Sequence, residues 1–157
     1  MNQKRSSKPI HHQLLYLSLL PFIYALALSL ANWLGWQELF PHEHHFIRLN
    51  SYIYAHSYGA LLLGFVSGIK IGMAFEQPRS NTYVLLNWLL LVFAWFSYQS
   101  FADLTGILIL LSGWLAAIII DQMAKQNELL GERISRTLLT TQCIVILLLS
   151  LIAGLNG

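Results

Sequence analysis

The stretch "YGALLLGFVSGIKIG", residues 58–72, decides the fold, because it combines an apolar run with regularly spaced small residues and one charge, Lys70. Its small residues recur every four positions, at Ala60, Gly64, Gly68 and Gly72. Residues four apart lie on one face of a helix, so these positions form a helix-packing groove without large side chains. Helices in lipid associate through close contact, which small residues permit. We therefore predict that the groove packs within the chain's own bundle, with a homodimer interface as the alternative.

The composition indicates an integral membrane protein. The chain is 56% hydrophobic and only 10% charged, whereas soluble domains are about 25% charged. Nine Lys and Arg against seven Asp and Glu leave a formal charge of +2, and the basic residues are scattered. This pattern excludes nucleic acid as a partner, because a phosphate backbone needs a basic stripe. The single cysteine, Cys143, lies in an apolar run, and we expect it to be buried.

Five apolar segments are long enough to cross a bilayer as helices. A hydrocarbon core of about 30 Å needs roughly 20 apolar residues in helical form. The predicted spans are approximately 14–36, 52–75, 82–100, 104–123 and 137–155. The apolar run of the first span is longer than a signal-peptide core of about 7 to 15 residues, so we expect it to be retained. The sequence therefore predicts an all-α bundle of five transmembrane helices, with residues 1–157 as one transmembrane domain.

The distribution of basic residues predicts the orientation, because cytoplasmic loops collect Lys and Arg. If the N-terminus is cytoplasmic, the outer side carries only Arg48. The basic residues on the cytoplasmic side are then Lys4, Arg5, Lys8, Arg79, Lys125, Arg133 and Arg136. Five spans then place the C-terminus on the periplasmic side. Aromatic residues predicted near the outer boundary are Trp33, Trp36, Phe40, Phe46, Tyr52, Tyr54, Phe96, Tyr98 and Phe101. We expect a multi-pass protein of a bacterial inner membrane, with the mitochondrial inner membrane as the alternative.

Three segments together resemble a known family. They are "YGALLLGFVSGIKIGMAF" in the second span, "LLPFIYALAL" in the first, and Asp121 of "IIIDQMAK" followed by "RISRTLLT". The chain resembles an uncharacterised family of small integral membrane proteins, the domain-of-unknown-function family numbered 3429, which is related to transmembrane protein 69. It departs from that pattern with Ile71 in place of an aromatic residue and Ser67 in place of a glycine. The resemblance implies a membrane bundle with Asp121 and Arg136 as recurring polar positions, and it implies no activity.

Lys70, Asp121 and Arg136 form the first candidate site, a polar cluster at the inner side. A charge within a span costs several kcal/mol at the bilayer centre unless it reaches water or a partner. Lys70 either extends to the inner headgroups or pairs with Asp121, and Asp121 pairs with Lys70 or with Arg136. Such a cluster is either a structural clasp between spans or a site for an anionic headgroup or a quinone-like ligand.

A histidine-rich loop is the second candidate site. The segment "PHEHHF", residues 41–46, lies between the first two spans. His42 and His45, with His56 from the second span as a third ligand, suit zinc or copper. The alternatives are a polar, pH-responsive surface loop and a contact with a partner subunit.

Other polar residues have structural interpretations. Asp103 precedes "LTG" and is predicted to cap the fourth span. Interhelical hydrogen bonds are predicted for Asn87, Thr140, Thr141 and Gln142. Nothing in the sequence matches a nucleophile elbow, a P-loop or a zinc-protease motif, so no catalytic residue is predicted.

These observations favour a non-catalytic protein that acts by binding, as an accessory or assembly subunit of a larger membrane complex such as a respiratory oxidase. Its expected partners are membrane lipids and other integral membrane subunits. One alternative is a small transporter or channel-like protein that uses Lys70, Asp121 and His56. The other is a membrane protein that binds or acts on lipid or quinone. No resident cofactor is predicted, with bound lipid or quinone, or zinc or copper at the histidine-rich loop, as the open alternatives.

Overall fold

The fold is seen in a computed structural model that describes residues 17–36, 47–74, 81–99, 103–127, 129 and 132–156. These residues contain five α-helices and no strand, which confirms the predicted all-α class. The helices are α1 (Leu20–Trp33), α2 (Ile47–Ala74), α3 (Asn81–Gln99), α4 (Leu104–Gln126) and α5 (Glu132–Asn156).

Four of the five helices, α2 to α5, are long and apolar enough to cross a membrane. Helix α1 has 14 residues, which is about 21 Å at 1.5 Å per residue and shorter than a hydrocarbon core. The predicted first span, 14–36, begins among residues that lie outside the described ones. A fifth crossing and the orientation of the termini therefore stay predictions.

The ends of α1 and α4 follow from local chemistry. Pro21 stands in the first turn of α1, where the backbone N–H that proline lacks has no partner within the helix. Gly35 follows the end of α1 with a φ of 71°, a left-handed conformation that glycine adopts without strain. Asp103 precedes α4 and accepts a hydrogen bond from the Gly106 backbone N–H at 2.9 Å. The predicted cap is confirmed.

Helix α2 is the centre of the bundle and packs against all four other helices. It runs antiparallel to α1, because the rings of Phe22 and Tyr58 meet in an edge contact with centroids 5.4 Å apart, as do those of Tyr24 and Tyr54. Helix α5 packs against both α4 and α1. The four other helices therefore surround α2 in the order α1, α5, α4, α3.

The glycines that allow the closest helix contacts are not those of the helix-packing groove. A Cβ added at Gly59 would lie 2.6 Å from a Leu110 methyl, and one added at Gly113 would lie 2.5 Å from the Phe93 ring. Along the groove, a Cβ at Gly64 would meet the Ala94 Cβ at an ordinary 3.6 Å. A Cβ at Gly72 would meet nothing within 4 Å. The groove therefore faces α3 at Gly64 and opens at Gly72.

A middle layer of buried apolar side chains, Leu63, Leu110 and Trp114, fills the space between α2 and α4. None of these three side chains is exposed. The approach of α4 to α2 depends on Gly113, which lies against Leu63 as well as Phe93. The middle layer thus holds α2 and α4 side by side in parallel.

Exposed aromatic side chains mark one end of the bundle. Trp33 is the last residue of α1, and Trp36 follows it. Tyr54 lies in the first turns of α2, and Tyr98 lies at the end of α3. We name this the aromatic end. Amphipathic rings prefer the boundary between hydrocarbon and water, so the grouping agrees with a membrane boundary there. Tyr52 is buried, and Phe40, Phe46 and Phe101 lie outside the described residues.

Cys143 is exposed, and the prediction that it is buried was wrong. It follows two buried residues of α5, Thr141 and Gln142, and lies on the outward side of the helix. An apolar run does not distinguish a core position from a lipid-facing one, because both are apolar in a membrane protein.

Candidate functional site

A charged cluster of four side chains lies inside the bundle, away from the aromatic end. It consists of Lys70, Tyr83, Asp121 and Gln142, which come from α2, α3, α4 and α5. The Lys70 Nζ donates to the Asp121 Oδ2 at 2.7 Å, and the Gln142 Nε2 donates to the same oxygen at 2.7 Å. The Tyr83 hydroxyl donates to the other carboxylate oxygen, Oδ1, at 3.3 Å. One carboxylate therefore joins four helices.

The packing of α2 on α4 explains why Lys70 meets Asp121. Gly59 of α2 lies against Leu110 of α4. Lys70 and Asp121 each come eleven residues later in the same two helices. Eleven residues are about three turns, so both side chains return to the face that their helices share. Because α2 and α4 run parallel, the two side chains also arrive at the same depth.

Burial makes this ion pair obligatory in the observed conformation. The Lys70 side chain is fully buried, and that of Asp121 is 3% exposed. The interpretation in which Lys70 extends to the headgroups is therefore wrong for this conformation. Two opposite charges taken out of water leave no net charge, but removing either partner leaves an uncompensated charge that costs about 3–5 kcal/mol.

Arg136 does not belong to the charged cluster, which corrects the three-residue site predicted from the sequence. Its Nη2 donates to the Glu132 Oε1 at 2.6 Å, one turn earlier in α5, and its side chain is 75% exposed. Arg136 lies six residues before Gln142. Six residues turn a helix by about 240°, so the two side chains leave α5 on different sides. Gln142 takes the place predicted for Arg136.

Tyr83 is the member of the cluster that the sequence interpretation missed. It lies in the first turn of α3, and Asn87 follows one turn later on the same buried face. The Asn87 Nδ2 donates to the Tyr83 backbone carbonyl at 3.0 Å, within α3. A pair of polar residues four apart on an otherwise apolar helix was the signal that could have indicated this inward polar face.

Several buried polar atoms of the helices that form the charged cluster have no hydrogen-bond partner among the described residues. They are the side-chain carbonyl oxygens of Asn87 and Gln142 and the hydroxyl of Ser67, three residues before Lys70. All three side chains are almost completely buried. Buried polar groups are ordinarily satisfied, so these oxygens retain the capacity to accept a further hydrogen bond or ligand.

His56, the third proposed metal ligand, lies at the aromatic end. Its imidazole is buried, and the Nε2 lies 3.4 Å from the Ser97 hydroxyl of α3. His42 and His45 lie outside the described residues. The described part of the chain contains no group of three His, Cys, Asp or Glu side chains that could hold a metal ion. The metal site stays a prediction.

A second polar contact lies at the aromatic end, between the first and last of the five helices. The Asn156 Nδ2 donates to the Ser29 hydroxyl at 2.7 Å and to the Ile152 carbonyl at 2.9 Å. The Ser29 hydroxyl in turn donates to the Ala25 carbonyl at 3.0 Å. This contact fastens α5 to α1.

Three of the four predicted interhelical bonds were wrong, because the Asn87 amide bonds to a carbonyl of its own helix, as described above, and the two threonines do the same. The hydroxyls of Thr140 and Thr141 donate to the carbonyls of Arg136 and Thr137, four residues earlier in α5. A threonine hydroxyl in a helix finds this acceptor in its own preceding turn, so it does not need a neighbour. The Gln142 side chain is long enough to reach α4, and its interhelical bond is confirmed.

The charged cluster and His56 do not meet. Lys70 lies fourteen residues after His56 in α2, which is about 21 Å along the helix. The middle layer of Leu63, Leu110 and Trp114 lies between them. The structure thus divides the residues proposed for a transport path into two groups with apolar side chains between them.

Comparison of the chain with protein-family models, with curated proteins and with solved structures finds no match. The resemblance to the domain-of-unknown-function family numbered 3429 therefore stays a prediction from the motifs quoted above.

Proposed function

We propose that the chain is a non-catalytic, multi-pass membrane protein that acts by binding other integral membrane proteins, as an accessory or assembly subunit of a larger complex such as a respiratory oxidase. The five predicted spans, a cytoplasmic N-terminus and a bacterial inner membrane belong to this proposal. Its support is the distribution of basic residues described above, together with four helices that are long and apolar enough to cross a membrane.

The observation that carries the proposal is the outward side of α3. Helix α3 packs against α2 and α4, and its buried residues are Tyr83, Asn87, Leu90, Ala94 and Ser97. Only 28% of its span is buried, against 39–44% for the other three spans. Large side chains exposed on its remaining surface are Leu85, Trp88, Leu89, Leu91, Trp95, Phe96 and Tyr98.

Trp88 distinguishes this surface from an ordinary lipid-facing one. Tryptophan in membrane proteins gathers at the interfaces, and Trp95 and Tyr98 are close to the aromatic end. Trp88 lies eleven residues before the end of α3, about 16 Å deeper. Aromatic side chains are enriched where proteins meet, so the α3 surface suits contact with another membrane protein.

Site-specific photocrosslinking tests this proposal. A photoreactive aromatic amino acid replaces Trp88 in the full chain, and the matched control replaces Leu147 of α5, which is similarly exposed and nine residues from the aromatic end. We expect a crosslink from position 88 to one stoichiometric membrane protein, identified by mass spectrometry after gentle extraction, and none from position 147. Crosslinks to lipid alone at both positions would contradict the proposal.

A small transporter or channel-like protein is the second candidate, favoured by the buried Lys70–Asp121 pair, since ionisable groups inside spans often mark ion pathways. The separation of His56 from the charged cluster weighs against one continuous path. Proteoliposomes loaded with a pH-sensitive or sodium-sensitive dye test this candidate. A flux that disappears on Asp121→Asn would support transport, and a signal equal to that of empty liposomes would exclude it for protons and sodium.

A lipid-binding or quinone-binding function has weaker support. It was predicted from Asp121 and Arg136 acting together, and Arg136 points to the outside of α5 and pairs with Glu132 instead.

A further inference from the structure

We propose that the oxygen atoms around Asp121 form a binding site for a small monovalent cation, and that the ammonium of Lys70 is a tethered occupant of this site. A free cation such as Na⁺ binds when the Lys70 side chain swings away toward the nearby end of α2. This site is independent of the partner binding proposed above, because its residues face the interior.

The first argument is the set of oxygen atoms that are suited to coordinate a cation. The Asp121 carboxylate, the Tyr83 hydroxyl and the side-chain carbonyls of Asn87 and Gln142 all lie on buried faces of neighbouring helices. Carboxylate, carbonyl and hydroxyl oxygens are the ligands that hard cations take in proteins. The two amide carbonyls have no partner among the described residues, so they retain the capacity to accept a cation in place of water.

The second argument is the charge of the site. In the described part of the cluster, Asp121 is the one carboxylate and the other candidate ligands are neutral. Among the described residues, the titratable groups that face Lys70 are Asp121 from α4 and Tyr83 from α3. There α5 contributes the neutral Gln142, and α1 contributes no charged side chain. One negative charge matches one monovalent cation, whereas a divalent ion would leave a buried net charge at high cost. The observed occupant, a single ammonium 2.7 Å from the Asp121 Oδ2, has this charge.

The third argument is the reach of Lys70. Its Cα lies four residues before the end of α2 at Ala74, which is about 6 Å along the helix. A lysine stem can cover such a distance and bring the ammonium to the membrane boundary. The protonated Lys70 side chain thus has two positions for its ammonium group. In one place it neutralises Asp121, and in the other it leaves Asp121 to a free cation, so each conformation buries no net charge.

The test is thermal unfolding of the purified full chain in a mild detergent at fixed pH. NaCl replaces choline chloride at constant ionic strength, since choline is too large for the site. We expect a saturable rise of the melting temperature with Na⁺ in the wild type. Lys70→Gln removes the tethered competitor, whose effective concentration is in the millimolar range or above, so its Na⁺ midpoint should be at least about tenfold lower.

Two controls separate this site from general salt effects. Lys125→Gln removes an exposed lysine of α4 near the same end, and we expect the wild-type midpoint. The double variant Lys70→Gln/Asp121→Asn carries no charge in the cluster, and we expect no difference between the two salts. A wild-type titration without any Na⁺ response overturns the proposal whether or not the variants fold. Equal midpoints for wild type and Lys70→Gln, or a response that survives in the double variant, also overturn it.

Discussion

At the end of the bundle where α2 finishes, four helices converge on the carboxylate of Asp121, whereas at the aromatic end buried polar side chains meet in neutral pairs. His56 meets Ser97, and Asn156 meets Ser29. A pair of this kind that loses one partner loses one hydrogen bond. A buried ion pair that loses one partner leaves an uncompensated charge, which costs far more. The two ends should therefore respond very differently to comparable substitutions.

The largest expected effect comes from Asp121→Asn, which keeps the shape of the side chain but leaves the charge of Lys70 without its counterion. We expect a loss of up to about 3–5 kcal/mol in the free energy of unfolding, and a smaller loss where the ammonium moves to the membrane boundary, measured by denaturant titration in mixed micelles. The matched control is Asp103→Asn at the other end of α4. Asparagine caps a helix about as well as aspartate, so this change should cost less than about 0.5 kcal/mol.

The double variant Lys70→Gln/Asp121→Asn completes this experiment. We expect it to recover most of the stability lost by Asp121→Asn, because no buried charge remains. Equal losses for the Asp103 and Asp121 variants would refute the contrast between the two ends.

The next largest loss of stability is expected in the middle layer, which lies between the two ends. A methyl group at Gly113 would overlap the Phe93 ring and a Leu63 methyl. We therefore expect Gly113→Ala to lower the free energy of unfolding by about 1–3 kcal/mol through overpacking. Gly72→Ala is the control, since it meets nothing within 4 Å, and it should be neutral or stabilising by up to about 1 kcal/mol. A destabilising Gly72→Ala with a neutral Gly113→Ala would show that the helix-packing groove, and not the middle layer, holds the helices together.

Gln142→Leu removes one of the hydrogen bonds to the Asp121 carboxylate. Because its acceptor is an ionised carboxylate, this bond is stronger than the average interhelical bond of a membrane protein, and we expect a loss of about 1–2 kcal/mol in the same unfolding titration. Thr141→Val is the matched control one residue earlier. Its hydroxyl bonds within α5, so its loss should change stability by less than about 0.5 kcal/mol. If both changes had the same effect, Gln142 would not be needed to hold the carboxylate.

Ser97→Ala at the aromatic end should have the smallest effect. The contact of its hydroxyl with the His56 imidazole is 3.4 Å long, and buried interhelical bonds average about 0.6 kcal/mol. We expect a loss of about that size, measured beside the Asp121 variants. A loss above about 2 kcal/mol would mean that the aromatic end also holds its helices through an indispensable polar contact.

The helices were predictable because hydropathy and length alone define them. The four long helices end within a few residues of the predicted spans, but two of them begin five residues earlier, α2 at Ile47 instead of 52 and α5 at Glu132 instead of 137. In α5 the exposed Glu132–Arg136 pair lies in this additional polar turn. Hydropathy identifies apolar segments only, so it does not detect a helix turn made of polar residues.

The charged cluster was only partly predictable. Lys70 and Asp121 were noticeable as charges within spans, and Gln142 as an amide within a span. Their mutual contact depends on the helix rotations that Gly59 and Gly113 allow, and these rotations depend on large side chains of other helices. Arg136 was predicted from its place at the start of the fifth span, on the same side as Asp121, and from the family resemblance, and no pattern within α5 indicated a partner on α4.

The two members of the Lys70–Asp121 pair are synthesised at different times. Lys70 precedes Asp121 by 51 positions, so at about 5–20 residues per second it is made roughly 3–10 seconds before its counterion. During that interval α2 has no Asp121 beside it, and the ammonium must wait at the membrane boundary, which its stem can reach. The contacts of the central helix are thus completed only after α4 has supplied the carboxylate.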